Sequence, residues 1–318
     1  MTEFQNLTID VENVFKRYDE KIILHGVSLK IRRGEFYILM GPNGSGKSTL
    51  LSIIAGTNSI DSGSIRILDK DIFSEGMQAK QRLGYVPQEN FCSTFLTGRE
   101  NLNYFSGLLG LSCEEARKRI AELLDMMELT ADADRRVSEY SGGMRKKLEV
   151  ATALLGDVDV LLLDEPTTGL DPGVRKEFLH LLKTINEGGT TILLVTHIGE
   201  DAEMASRVGF MVDGQIVAEN EPEVLKEMSG AQDAILIDAS PRNQELQMHL
   251  ASICDEGITV ESEEGFLIYC DQVVKMIPTI MNRLSEAGYE VLKIDTKPST
   301  LEDVFYQLTD ITVRGEVL

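Results

Sequence analysis

Leucine, isoleucine or valine occupies every second position over residues 7–11 and again over residues 27–31. A period of two predicts half-buried antiparallel strands near the start of the chain. Strand-like apolar runs follow at Phe36–Leu39, Val158–Leu163 and Thr191–Thr196. Because helical segments separate these runs, the pattern predicts a buried parallel sheet with helical crossovers.

Three short patterns mark helix starts. Thr97-x-x-Glu100 and Ser112-x-x-Glu115 lie in the middle of the chain, and Ser299-x-x-Glu302 lies near its end. In each, a hydroxyl and a carboxylate three residues apart can satisfy each other's backbone N–H groups, which is a capping box. The middle of the chain is therefore predicted to be helical, and a last helix to begin after Ser299.

A boundary is predicted at Ser229-Gly230, which gives one domain over residues 1–229 and a second over residues 230–318. The second domain is predicted to contain a strand (234–238), a helix (244–253), two strands (258–261 and 266–270), a helix (273–287) and a strand (289–295). This βαββαβ order is the split-βαβ or ferredoxin-like arrangement.

Charge and composition narrow the possible functions. The chain has 318 residues, 52 of them acidic and 31 basic, so that its net charge is −21. A surface this acidic disfavours nucleic acid as the main ligand. We find no apolar stretch long enough to span a membrane and no leader pattern at the start. The four cysteines and four histidines show no metal-ligand spacing, which indicates reduced thiols in a cytosolic protein.

A glycine-rich stretch follows the apolar run at Phe36–Leu39. It reads Gly41, Pro42, Asn43, Gly44, Ser45, Gly46, Lys47, Ser48 and Thr49. Its first eight residues fit G-x-x-x-x-G-K-[ST], in which backbone N–H groups and a helix start surround phosphate oxygens. Lys47 would reach the β and γ phosphates, and the Ser48 hydroxyl would bind Mg²⁺. The motif predicts a nucleotide site.

Two neighbouring carboxylates, Asp164 and Glu165, end the apolar run at Val158–Leu163. Ionised side chains at the tip of a buried strand lose hydration energy unless a cation or a partner compensates them. We interpret Asp164 as support for Mg²⁺ and Glu165 as the general base that polarises an attacking water. A solvated strand end is the alternative for this stretch taken alone.

Tyr140-Ser141-Gly142-Gly143-Met144 resembles the signature sequence of ABC-type ATPases. Gln88, Gly169-Leu170-Asp171-Pro172 and His197 also follow in that family's order, and the resemblance covers about residues 7–227. It implies an L-shaped α/β P-loop ATPase with a mixed-sheet core, an antiparallel β-subdomain and a helical subdomain from about residue 89 to 150. The ferredoxin-like α+β domain would follow it.

The resemblance implies that two copies enclose two ATP molecules, each phosphate loop facing Ser141, Gly142 and Gly143 of the other copy. His197 would hold the γ-phosphate and Gln88 would contact Mg²⁺ or water. Asp171 would lie at the dimer seam and Tyr18 would stack on adenine. Each residue taken alone also has a structural explanation. His197 could be a histidine that simply follows a strand, and Gln88 an exposed loop residue. Asp171 could begin an Asp-Pro turn, and Tyr18 could be a core residue.

The run from Tyr140 through Leu148 and the ending Pro298–Phe305 resemble the drug-resistance, ABC-2-type exporter branch. Met144 departs from the commoner glutamine and lacks its amide hydrogen bonds. The resemblance implies the ATPase subunit of an exporter, paired with a second ATPase subunit as a homodimer and held at the cytoplasmic face of the membrane by a separate transmembrane permease. An importer ATPase with a regulatory C-terminal domain is one alternative.

A non-transport ABC ATPase acting on nucleic acid or ribosomes is the second alternative. DNA-repair members of the family insert long coiled coils between the two phosphate-site motifs, whereas here 164 − 47 leaves 117 positions. Translation-linked members usually carry two sets of motifs, and this chain has one. The net charge of −21 also disfavours this alternative.

Overall fold

The computed structural model describes residues 7–229, 233–251, 259–262, 265–269 and 273–308. The chain divides into two compact units, Met1–Pro222 and Glu223–Leu318. The domain limits 1–229 and 230–318 stay a prediction, and residue 230 lies outside the described residues.

Two sheets and several helices build the first unit. Its strands are β1 (Leu7–Tyr18), β2 (Lys21–Arg32), β3 (Phe36–Met40), β4 (Ser62–Ile67), β5 (Lys70–Asp71), β6 (Leu83–Val86), β7 (Val160–Asp164), β8 (Thr191–Thr196), β9 (Arg207–Val212) and β10 (Gln215–Asn220). Its helices are α1 (Lys47–Ile54), α2 (Gly76–Lys80), α3 (Gly98–Leu108), α4 (Cys113–Met126), α5 (Gly142–Ala153), α6 (Pro172–Glu187) and α7 (Gly199–Ala202).

The central sheet has the order β10-β9-β3-β8-β7-β6, and only its edge pair β10–β9 is antiparallel. Every residue of β3, β7 and β8 is buried, which confirms the predicted parallel sheet. In register, Met40 lies opposite Thr196 and Asp164 opposite Val195. The segments that follow these three strands therefore start from one edge of the sheet.

The second sheet, of order β2-β1-β4-β5, is antiparallel. Its alternating apolar side chains are buried, as the period of two predicts; Ile9, Val11 and Ile31 are fully covered. They share one hydrophobic core with α1 and with side chains of the central sheet, including Leu39 and Leu162. Burial of this shared face fixes the start of α1 against both sheets.

Capping boxes begin α3 and α4, as predicted. The Thr97 hydroxyl accepts the Glu100 N–H at 3.1 Å, and the Glu100 carboxylate accepts the Thr97 N–H at 2.8 Å. Ser112 and Glu115 make the same pair of bonds at 3.3 and 2.9 Å. These bonds satisfy backbone groups that the first turn of a helix leaves without partners.

Between its first and last helices, the second unit has a strand–helix–strand–strand–helix–strand order. Its elements are α8 (Pro222–Ser229), β11 (Ala234–Ser240), α9 (Gln244–Ala251), β12 (Thr259–Ser262), β13 (Gly265–Tyr269), α10 (Val273–Glu286), β14 (Glu290–Lys297) and α11 (Leu301–Leu308). The antiparallel sheet has the order β12-β13-β11-β14, and Ile235, Ile237, Leu246, Ile280 and Leu284 lie in its core. Cys254 and Cys270 lie outside the described residues.

The predicted capping box at Ser299-x-x-Glu302 is wrong by one residue. Thr300 caps α11: its hydroxyl accepts the Asp303 N–H at 3.2 Å, and its own N–H donates to the Asp303 carboxylate at 2.9 Å. The Ser299 N–H instead donates to Asp233 at 2.9 Å. Among the helices of the described residues, none combines the length and the apolar character needed to cross a bilayer.

Candidate functional site

The glycine-rich loop runs from the end of β3 to the start of α1. Gly44 and Gly46 adopt φ angles of +81° and +103°, a region that costs energy for residues with a Cβ. Gly41 meets a different constraint, because a Cβ there would overlap the backbone carbonyl oxygen of Met211. The loop can therefore pass close to β9 and turn its N–H groups toward a ligand only with glycine at these places.

Lys47 is the first residue of α1, directly after this loop, and its side chain is buried. Its Nζ donates to the carbonyl oxygens of Gly41 at 2.7 Å and Pro42 at 2.9 Å. Burial lowers the pKa of Lys47, and the negative charges of Glu165 and Asp164 oppose that shift. A cation held among backbone carbonyls at a helix start is suited to binding phosphate oxygens.

Asp164 ends β7 and faces the loop. Ser48 Oγ donates to its Oδ1 at 2.9 Å. Burial raises the pKa of Asp164, the Ser48 hydrogen bond lowers it, and the neighbouring charge of Glu165 raises it further. Hydroxyl and carboxylate oxygens are ligands that Mg²⁺ prefers. Within the described residues no group of three or more His, Cys, Asp or Glu side chains is placed to hold a metal ion.

Glu165 is the point on which the predicted catalytic side chains converge. Its Oε2 accepts from Gln88 Nε2 at 3.1 Å and from Thr168 Oγ1 at 3.4 Å. Its Oε1 lies 3.4 Å from His197 Nδ1, although that nitrogen makes no hydrogen bond of ordinary geometry. The backbone of Glu165 has φ +46°, a left-handed conformation that is uncommon outside glycine and clusters at functional sites.

A cavity of about 670 Å³ joins these groups. It is lined by Lys21, Ile23, Asn43, Gly44, Gly46, Lys47, Ser48, Thr49, Gln88, Glu165, Thr168 and His197. Sequence reasoning did not identify Lys21, Ile23 or Thr168. The lining contains few acidic groups and several donors, as a polyanionic ligand requires.

Tyr18 is not among the residues that line this cavity. It ends β1, where the sequence placed it before the second strand, and its hydroxyl accepts a hydrogen bond from Asn58 Nδ2. Lys16 Nζ lies 5.0 Å from the centre of its ring. The side chain is half-exposed, and its role in stacking on adenine stays a prediction.

The signature residues and Asp171 also lie outside the main cavity. Ser141 caps α5, with its Oγ accepting the Met144 N–H at 3.2 Å. Gly142 lines a smaller cavity of about 220 Å³ together with Gln88 and Glu165. Asp171 stands at the exposed start of α6. The chain thus brings its own phosphate loop and Glu165 together, and leaves Ser141 and Asp171 outside that cavity.

Asp201 supports the site although sequence reasoning missed it. This carboxylate is fully buried and accepts hydrogen bonds from Thr167 and, at 2.9 Å, from Thr196. Burial raises the pKa of Asp201, and the two threonine hydrogen bonds and the nearby Arg175 oppose that shift. Thr167 follows Glu165 and Thr196 precedes His197, so Asp201 ties together the two segments that carry them. Its place four residues after His197 was the available signal.

Comparison with known proteins identifies a family model and similar proteins of named function. An ABC transporter family model matches residues 24–168. The Nod factor export ATP-binding protein I of Burkholderia pseudomallei is 38% identical over 302 residues, covering 95% of this chain and 96% of the relative. The linearmycin resistance ATP-binding protein LnrL of Bacillus subtilis is 33% identical over 309 residues, covering 96% and 99%.

Solved structures match about two thirds of the chain. An ATP-binding cassette in a dimeric post-hydrolysis state, bound to ADP and Pi, is 32% identical with a TM-score of 0.61. The match covers 67% of this chain and 98% of the cassette. The two curated relatives, by contrast, are similar along nearly the whole chain, including the second unit.

Proposed function

Because this chain belongs to the family of ABC transporter ATP-binding proteins, we propose that it is the ATP-hydrolysing subunit of an exporter whose membrane-spanning part is a separate protein. The observation that carries the proposal is the meeting of Lys47, Ser48 and Glu165 around one cavity, with Asp164 hydrogen-bonded to Ser48 behind it. Phosphoryl transfer depends on positioning and on charge stabilisation more than on covalent catalysis.

Each side chain has a role in this proposal. Lys47 and the loop N–H groups bind the β and γ phosphates and neutralise their charge. Ser48 and Asp164, with Gln88 nearby, would hold Mg²⁺, which would offset the negative charge of the phosphates. Glu165 orients the attacking water and accepts its proton as general base.

His197 and Gln88 act on either side of Glu165. His197, 3.4 Å from the carboxylate, would contact the γ-phosphate and fix the water between them. The Gln88 amide, hydrogen-bonded to the other carboxylate oxygen, would keep that carboxylate turned toward the water. Both assignments predict losses in turnover larger than losses in ATP affinity.

Two copies of the chain complete two sites in this proposal. Ser141, Gly142 and Gly143 offer a hydroxyl and a helix start, which suit the γ-phosphate of ATP bound to the other copy. Asp171 would lie at the seam. That Ser141 and Asp171 lie outside the chain's own main cavity supports a use by a second subunit, and ATP would then hold the two copies together.

The direction of transport rests on the relatives. Both curated relatives carry export or resistance in their names, which favours an exporter over the importer alternative. Phe95, Tyr104 and Leu108 are exposed by 86, 58 and 66% in the segment that follows Gln88. We assign this apolar surface to the permease, which would keep the subunit at the cytoplasmic face of the membrane.

The test is a pull-down from native membranes with the Glu165→Gln protein and ATP, read by mass spectrometry. Recovery of a polytopic membrane protein in near-equal amount supports the proposal. Recovery of ribosomal or DNA-bound proteins in its place would refute the transport role while leaving the ATPase chemistry intact. Lys47→Ala is the control, because it removes the phosphate-binding cation and should neither bind a fluorescent nucleotide nor retain the partner in an ATP-dependent way.

A further inference from the structure

Helix α5 presents a polar row on its buried side. Lys146, Glu149 and Thr152 are spaced three residues apart and are all buried. Residues at this spacing lie on one face of a helix. Polar side chains on a buried helix face are costly unless they have partners, so the question is what this row binds.

Apart from bonds within α5 itself, where Thr152 Oγ1 donates to the Leu148 carbonyl at 2.9 Å, the partners of this row belong to the segment between β6 and α3. Lys146 Nζ donates to Glu149 Oε2 at 2.9 Å and to the backbone carbonyl of Gln88 at 3.4 Å. Thr152 Oγ1 lies 3.6 Å from Cys92 Sγ, a contact in which either atom can be the donor. The row therefore follows residues 88–92 from one end to the other.

Glu149 is the buried charge at the centre of the row. Burial raises the pKa of Glu149, while the hydrogen bond and charge of Lys146 lower it, as does the backbone N–H of Phe91. Its second oxygen, Oε1, accepts no hydrogen bond of ordinary geometry. Removal of one partner of such a pair leaves a buried charge uncompensated, so the two side chains depend on each other.

Helix α3 holds the same segment from the other side. Asn101, also buried, accepts the Ser93 N–H at 2.8 Å and donates to the Ser93 carbonyl at 3.0 Å. The Phe91 ring meets the Phe105 ring edge-on, with 5.6 Å between centres. Residues 88–93 are thus bound to two helices at once.

Gln88 is the end of this segment that reaches the reacting groups, with its amide 3.1 Å from the Glu165 carboxylate. We propose that Lys146 and Glu149 are positioning residues: the ion pair fixes the Gln88 backbone and thereby holds the Gln88 amide at Glu165. The inference rests on the proposed function, in which Glu165 is the general base. Under this inference the buried face of α5 serves the chain's own site, whereas the exposed start of α5 serves the second copy.

A double-mutant cycle tests this with the purified full-length chain and ATP. We expect Lys146→Met and Glu149→Gln each to lower kcat about tenfold with KM changed less than about twofold. Because the pair acts through Gln88, adding Lys146→Met to Gln88→Ala should cost little beyond Gln88→Ala alone. Glu149→Gln keeps the shape of the side chain, so it serves if Lys146→Met folds poorly.

Lys147→Met is the matched control, since the neighbouring Lys147 pairs with Glu128 at 2.7 Å and not with residues 88–93. It should leave kcat unchanged, and amide hydrogen exchange over residues 87–93 should speed up in Lys146→Met but not in Lys147→Met. The inference would be overturned if the kcat losses of Lys146→Met and Gln88→Ala multiplied in the double variant. It would also be overturned if amide hydrogen exchange over residues 87–93 were the same in Lys146→Met as in the wild type. The Glu165→Gln variant distinguishes failure of this inference from failure of the proposed function. Turnover at the wild-type rate by that variant would refute the role of Glu165 as general base.

Discussion

At the scale of single residues, the site depends on a buried acid outside the reacting groups. The pKa of Asp201 is raised by burial, so the folded state binds this proton more tightly than the unfolded state. Stability therefore falls as pH rises from the unfolded-state pKa of about 3.9 through the raised folded-state value. At neutral pH the ionised carboxylate costs stability and is kept for its two threonine hydrogen bonds.

We accordingly expect Asp201→Asn to raise Tm at neutral pH by a few degrees, corresponding to about 1 kcal/mol. The asparagine oxygen can still accept from Thr196 and Thr167, and its NH₂ replaces Oδ1, which accepts no hydrogen bond. Arg175, whose Nε lies 3.8 Å from Oδ1, keeps its ion pair with Glu200. Asp201→Ala removes the acceptor as well and should lower both Tm and kcat, because the segments carrying His197 and Glu165 come apart. Thermal unfolding and ATPase assays measure both.

Asp159→Asn is the control of opposite sign. The Arg82 hydrogen bond lowers the pKa of Asp159, so that carboxylate contributes stability above its unfolded-state pKa and loses it as pH falls. Its asparagine variant should lower Tm. Equal shifts in both variants would show that charge burial does not distinguish the two sites.

Side chains that line the main cavity could be predicted because they stand in short motifs or in a family's motif order, whereas Asp201, Lys146 and Glu149 make contacts that no motif encodes. Asp201 meets Thr167 across 34 residues, and Lys146 meets Gln88 across 58. In the sequence, Lys146 and Glu149 are marked only by their spacing of three residues, which places them on one face of a helix. Tyr18 was predicted from its position in a family, and position alone did not bring it to the cavity.

At the scale of elements, apolar pattern predicted the existence of the strands better than their ends. The run Val158–Leu163 becomes β7 at Val160–Asp164, because Asp159 is bound by Arg82 and its N–H donates to the Arg82 carbonyl at 2.9 Å. The cap of α11 moved from Ser299 to Thr300 for a similar reason, since Asp233 takes the Ser299 N–H. Long-range polar partners set these limits.

The α4 capping box makes an element-scale prediction. Ser112→Ala removes the hydroxyl that accepts the Glu115 N–H and should destabilise the protein by about 1 kcal/mol. Ser112→Thr retains a capping hydroxyl and should stay within a few tenths of the wild type. Urea unfolding followed by circular dichroism measures the difference. Equal stabilities of the alanine and threonine variants would show that the Ser112 cap does not contribute to the stability of α4.

At the scale of the whole molecule, net charge opposes the pairing that ATP drives. Each chain carries −21, so two identical copies repel each other at long range. Salt screens that repulsion, with a Debye length of about 10 Å at 0.1 M. We expect the ATP-bound Glu165→Gln dimer to become tighter as NaCl rises from low to physiological concentration, measured by light scattering after size exclusion.

Lys47→Ala, which should not bind ATP, is the reference for that experiment and should remain monomeric throughout. A Glu165→Gln dimer that weakens steadily with salt would contradict the prediction and indicate attraction between complementary charges at the seam.

The central sheet also has a consequence for synthesis. β3 is buried throughout, and its neighbours β8 and β9 come from far along the chain; 192 − 36 places Ile192 156 residues after its partner Phe36. At ~5–20 residues per second, a ribosome needs about 10 to 30 s to make that stretch. During that time the five adjacent apolar residues of β3 lack the strands that will cover them. We therefore expect nascent chains that are halted before Thr191 to keep a ribosome-associated chaperone bound. Chains that extend beyond Val212 should release it.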